Sequence, residues 1–116
     1  MTTPRPGKPV RGSSSGRPIM VALDLLGRRW ALRIGWELRD GPHSFNQLQR
    51  RCESVSTSVL TQRLKEALDF GNVVRDADGA YSLTEQGSEL VEIMNGLDEW
   101  SKGAVRRWKR RGGADG

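Results

Sequence analysis

The sequence has one cysteine, Cys52, and one histidine, His43, among its 116 residues. A lone cysteine excludes an internal disulfide framework and a cysteine-built zinc site. A lone histidine, beside Pro42 in a turn-like stretch, leaves too few partners for a catalytic metal or a Ser-His-Asp arrangement. A glycine-rich phosphate loop, a zinc spacing and a nucleophile paired with a base are missing as well. These absences argue against an enzyme and against any cofactor or metal. No apolar run approaches the length of a transmembrane span or the core of a secretory signal. A cytoplasmic location without a membrane partner is therefore expected.

Hydrophobic residues make up only 35% of the chain, and they are unevenly spread. Residues 1–17 hold Met1 and Val10 as their only large apolar side chains. Such a segment cannot offset its ordering entropy by burial, and a disordered basic arm is expected there. Two stretches, 1–17 and 102–111, hold basic residues and no acid. The arm carries Arg5, Lys8, Arg11 and Arg17, and the stretch 102–111 carries Lys102, Arg106, Arg107, Lys109, Arg110 and Arg111. Between residues 18 and 101, nine basic side chains stand against thirteen acidic ones, a net of −4, although the whole chain is +5. The basic balance belongs to the tails, so bulk charge is a weak argument for a nucleic-acid partner. One domain over 18–108, followed by a basic, glycine-rich tail over 109–116, fits the length.

What is present is helical periodicity. Ile19, Ala22, Leu23 and Leu26 recur at helix spacing, with Pro18 suited to a first turn and Gly27 to a stop, giving a helix over 18–26. Trp30, Ala31, Ile34 and Leu38 set a second over 29–39, ended by Asp40-Gly41-Pro42. Ser44 is placed to cap a short third helix, carried by Phe45 and Leu48, that reaches Arg51. After a tight connection at 52–55, Ser56 caps a fourth helix running to Phe70, with Gly71 as its stop. The third and fourth helices have the dimensions of a helix-turn-helix unit.

The period then changes. Val73-Val74-Arg75 and Ala80-Tyr81-Ser82-Leu83 are β-prone runs around Asp76-Ala77-Asp78-Gly79, which reads as a short hairpin. Thr84 caps a long last helix whose Leu90, Ile93, Met94, Leu97, Trp100, Ala104 and Trp108 form a wide apolar stripe. The fold class is mainly α with a small β-hairpin, the hairpin standing where the wing of a winged helix-turn-helix domain stands.

The chain resembles the HxlR-type family of winged-helix regulators in four stretches. They are Ala22 to Gly27 (ALDLLG) followed by Trp30, Leu38 to Phe45 (LRDGPHSF), Leu60 to Leu64 (LTQRL), and Tyr81 to Thr84 (YSLT) with Gly87. Their order covers residues 18–108. The resemblance implies a transcription regulator, acting by occlusion as a repressor, with double-stranded DNA as partner. It also implies a homodimer on a pseudo-palindromic site, with the long C-terminal helix as a dimerisation helix. The interface would then include Ile19, Leu23, Leu97, Trp100, Ala104 and Trp108. A small-molecule effector is a further possible partner of unknown identity. A winged-helix module that binds protein without reading DNA is the alternative.

Two departures from the family pattern narrow this. Where family members often carry a Cys-Pro pair before the first helix, this chain has Arg17-Pro18, so thiol sensing there does not carry over. Asp76 and Asp78 flank the hairpin tip and would repel phosphates, leaving Arg75 and the Gly79 backbone as wing contacts.

On the fourth helix, Val59, Leu60, Leu64, Ala67 and Leu68 share one arc and are expected to be buried. Ser58, Thr61, Gln62 and Lys65 share the other, with Ser56 and Thr57 at the helix start. This polar set is the expected DNA-reading face. Gln62 suits an adenine edge, the hydroxyls suit bases or phosphates, and Lys65 suits a phosphate. Ser44 and Gln47 are further candidate phosphate contacts. Arg63 falls inside the apolar arc, so its stem is expected to pack and its guanidinium to pair internally. Trp30, Trp36, Trp100 and Trp108 are expected in the core or the dimer interface, with an aromatic ligand pocket between subunits as the alternative. Cys52 is expected to be partly buried and inert.

Overall fold

In the computed structural model, residues 17–53 and 55–113 are described. They form α1 (Pro18–Leu26), α2 (Ala31–Glu37), α3 (Phe45–Arg51), α4 (Thr57–Phe70), β1 (Val73–Arg75), β2 (Tyr81–Leu83) and α5 (Glu85–Arg110). The expected arm, apart from Arg17, lies outside the described residues, as do 114–116 of the expected tail. The element order matches the sequence pattern, and α5 continues two residues past the expected domain end at 108.

The caps explain why the elements start where they do. Ser44 Oγ accepts from the Gln47 amide while Gln47 Oε1 accepts from the Ser44 amide, a reciprocal capping box at α3. Ser56 Oγ accepts from the Val59 amide at α4, and Thr84 Oγ1 from the Gly87 amide at α5. Gly71 ends α4 at φ 95°, a left-handed conformation that costs glycine nothing.

The second helix is shorter than its apolar spacing suggests. It starts at Ala31 because Trp30 stands at φ 75°, outside the right-handed helical region, and serves as the N-cap whose carbonyl accepts from the Ile34 amide at 3.0 Å. It ends at Glu37, where the bonds Leu38 N to Gly35 O and Arg39 N to Trp36 O tighten the chain into turns. Gly27 stops α1 as expected, in an ordinary right-handed conformation, φ −77°.

The core gathers Ile34 and Leu38 of the second helical region, Leu48 and Cys52 around α3, Leu60 and Leu64 of α4, and Val73 and Tyr81 of the hairpin. β1 and β2 pair antiparallel with Val73 opposite Leu83. The hairpin is also stitched to the turn before α3. His43 N donates to Tyr81 O at 2.9 Å, and Tyr81 N donates to His43 O at 2.8 Å. This two-bond bridge makes His43 a third, one-residue strand and fixes the wing relative to α3. Nothing in the spacing of the sequence signals it.

Candidate nucleic-acid interface

α4 carries the candidate reading face, and its orientation follows from which side it buries. Leu60 and Leu64 are fully buried against α2 and α3, while Thr57, Ser58, Thr61 and Lys65 are exposed. Those four point the way the sequence pattern expects. Ser56 is exposed too, but its hydroxyl is committed to the cap. Thr57 Oγ1 accepts from Gln49 Nε2 at 3.1 Å, tying the start of α4 to α3. Leu68 departs from its expected burial and is 37% exposed, at the edge of an open groove shared with Phe45, Thr61, Lys65 and Tyr81.

Gln62 is brought to the flank of this face rather than its centre. It is half-buried, and its Nε2 donates to Glu66 Oε2 at 3.3 Å. Ser44 is half-buried and Gln47 exposed, and both spend hydrogen bonds on the capping box. Arg75 is exposed and lies over its own hairpin, with Nε donating to Gly79 O at 3.4 Å and the guanidinium 5.3 Å from the Tyr81 ring centre. At the wing tip, Asp76 Oδ1 accepts from the Asp78 and Ala80 amides. This carboxylate builds the turn, which accounts for acid at a place where a phosphate contact would want none.

Glu66 was legible from no motif. It is 2% exposed and is the buried charged side chain among the described residues. Arg28 Nη1 donates to its Oε2, and Arg63 Nη1 donates to its Oε1 at 2.5 Å. Arg28 also pairs with Asp24 of α1 at 3.2 Å, and Arg63 Nε donates to Arg29 O at 3.0 Å. The expectation that Arg63 packs and pairs internally is thus met, with Glu66 as its partner. Burial pushes the Glu66 carboxyl up, but hydrogen bonds from Arg63 and Gln62 and the charges of Arg63 and Arg28 outweigh it, leaving the group below its ordinary value.

A second ionic network holds α3 against α2. Arg51 pairs with Glu37 at 3.2 Å and with Asp40 at 2.9 Å, and Arg33 pairs with Glu37 at 2.7 Å. Cys52 lies beneath this network at 0% exposure, more deeply than expected, and burial pushes its thiol above the ordinary value. In the native protein this thiol is expected to resist an aqueous thiol reagent until the chain is unfolded by denaturant. Stoichiometric labelling within minutes under native conditions would contradict that burial. Among the described residues no three His, Cys, Asp or Glu side chains gather to hold a metal ion, and no helix is long and apolar enough to cross a membrane.

The candidate dimer face is apolar and open. Ile19 and Leu23 of α1 and Leu97, Trp100 and Trp108 of α5 are each 41–63% exposed, Ala104 is half-buried, and Ile93 adds a further exposed side chain at 72%. The inner side of α5 instead buries Gly87, Val91 and Met94. Trp30 packs against the core and Trp36 lines a groove beside Met94 and Leu97, with Arg39 stacked 4.2 Å from the centre of its ring.

A helix-turn-helix whose second helix is followed at once by an antiparallel hairpin, with a polar helix face beside that wing, defines the winged helix-turn-helix class of DNA-binding transcription regulators. Within that class the chain belongs to the HxlR family: the model for the HxlR-like helix-turn-helix matches residues 25–109. It is 31% identical to the HTH-type transcriptional regulator YybR of Bacillus subtilis (strain 168), covering 82% of this chain and 81% of that protein. The structure is similar to that of quinone-bound YodB from B. subtilis, with a TM-score of 0.69, 33% identity, and coverage of 74% and 97% of the two chains. It is also similar to the redox regulator HypR in its reduced form, with a TM-score of 0.71, 29% identity and coverage of 80% and 98%.

Proposed function

We propose that this protein is a cytoplasmic, sequence-specific regulator that binds a pseudo-palindromic operator as a homodimer and represses by occlusion. The observation that carries the reading is the exposed polar face Thr57, Ser58, Thr61 and Lys65 on a helix whose other side is locked into the core. Such a face enters a major groove, with hydroxyls and Gln62 on base edges or phosphates and Lys65 on a phosphate. Ser44, Gln47 and Arg75 would serve phosphates beside it, exchanging the internal hydrogen bonds they now make.

The dimer is supported by α1 and α5. Taking a Leu, Ile or Trp-sized side chain fully out of water contributes about 1.5–3 kcal/mol, and this face offers several. Charge supports a particular pairing. From 85 to 101, α5 carries Glu85, Glu89, Glu92, Asp98 and Glu99 with no base, and from 102 to 111 only bases. Within one helix this gradient suits the macrodipole. Between two copies, antiparallel α5 helices set acid against base, whereas parallel ones set like against like. For an effector, the open groove lined by Trp36, Met94, Leu97, Asp98 and Ser101, about 280 Å³, is a place beside that interface. The quinone of the YodB structure does not imply a thiol switch here, because Arg17-Pro18 replaces the cysteine position and Cys52 is buried.

Titrating operator and random duplex against salt tests the reading. The log-log slope for the wild type should be steep, and Lys65→Ala should lower both affinities alike while reducing the slope by about 1. Gln62→Ala should weaken the operator about tenfold with little change on random DNA. A wild type that retains no duplex at low salt contradicts the reading.

A further inference from the structure

We propose that the buried ion cluster centred on Glu66 is the positioning device of the recognition helix, with Glu66 setting the side-chain amide of Gln62. This rests on the DNA-reading role proposed for α4.

The cluster joins segments far apart in sequence. Asp24 belongs to α1, the helix that exposes Ile19 and Leu23, and it holds Arg28 just after that helix. Arg28 reaches Glu66 in the middle of α4. Arg63, one turn earlier on α4, reaches back to the same carboxylate and to the Arg29 carbonyl. Glu66 Oε1 serves Arg63, and Oε2 serves both Arg28 and Gln62. Side-chain exposure is 2% for Glu66, 8% for Arg28, 9% for Asp24 and 12% for Arg63.

Burial at this level makes the cluster a poor way to gain stability. Desolvating charges cancels most of their attraction, and apolar side chains of similar volume commonly do as well. What directional bonds add is geometry. An apolar contact between α1 and α4 leaves the turn of α4 about its own axis loosely set. Two arginines, one on each oxygen of one carboxylate, fix it. The third bond to that carboxylate is the Gln62 amide, which stands at the flank of the reading face and one turn from Glu66. The same atoms that seat the helix therefore orient a side chain that reads DNA. The chain of contacts also begins on α1, so the seat of α4 is tied to a helix of the candidate dimer face.

The experiment is a double-variant cycle on DNA affinity, using operator selected from a random pool and a random duplex at one salt concentration. Glu66→Gln should weaken operator binding about tenfold or more and random DNA less than about threefold, because base contacts depend on orientation and phosphate contacts less so. Gln62→Ala should then add little in the Glu66→Gln background, while Lys65→Ala should add its full loss there. Multiplying losses for Gln62 and Glu66 would overturn the proposal, as would equal loss on operator and random DNA. Should Glu66→Gln not fold, the variant Asp24→Asn, Arg28→Met, Arg63→Met, Glu66→Leu removes the four charges together. It should fold and bind random DNA yet lose discrimination, and full discrimination in it would overturn the proposal. A wild type that binds no duplex overturns this inference and the DNA-reading role together. Wild-type binding with multiplying losses overturns this inference alone.

Discussion

Trp100→Glu should convert the protein to a monomer and lower its affinity for a two-half-site operator by at least about a hundredfold, the scale on which linking two binding modules raises affinity. Trp100 is 63% exposed in the single chain and stands midway along the open stripe between Ile93 and Trp108. A carboxylate at that place would be buried without a partner in the dimer, at a cost of several kcal/mol per copy by order of magnitude. It would leave the monomer intact, since the core of α5 is made on its other side by Val91 and Met94. Sedimentation checks the mass, and binding to a single half-site checks that the reading face survives. A variant that sediments as a dimer and binds like the wild type would remove α5 from the interface.

Gly87→Ala should cost about 3 kcal/mol of folding stability, at the upper end of what overpacking a tight contact costs. On helix propensity alone the sign would be opposite, since alanine gains about 1 kcal/mol over glycine inside a helix. The geometry decides against that gain. A Cβ on Gly87 would stand 2.0 Å from the Asn72 carbonyl oxygen and 3.2 Å from Leu83 Cδ2. The Asn72 carbonyl has little freedom to retreat, because it also accepts from the Thr84 amide at 3.1 Å. The start of α5 would have to lift off the base of the wing. For a domain of this size the melting temperature should fall by roughly 10–20 °C. An unchanged or raised melting temperature would mean that α5 does not approach the wing so closely.

Gly87 shows how far the sequence could be read. It accompanied the YSLT stretch in carrying part of the family resemblance, but spacing alone gave no reason for it. The reason is a close approach between segments fifteen residues apart. Helix starts were legible because Ser44, Ser56 and Thr84 act within their own first turns. The exposed face of α4 was legible because burial repeats with the helical period. What that period could not give was the choice of partners. Arg63 breaks the apolar arc in a visible way, whereas Glu66 sits on its border and looks like any surface carboxylate until Arg28 is folded against it. Gln62 was grouped with the open polar face for the same reason, and its bond to Glu66 moves it to the flank. The short second helix depends on the left-handed Trp30, a conformation set by how the α1–α2 turn is held and unfavourable for a tryptophan in isolation.

The claim that joins these parts is that two copies of one chain present two α4 faces to a single DNA site. Selecting duplexes from a random pool with the purified full-length protein tests it most directly. Two inverted half-sites whose centres lie about one helical turn, or a multiple of it, apart are the expected outcome, because their spacing mirrors the distance between recognition helices. Enrichment of a single unpaired half-site, or of no sequence at all, would contradict it.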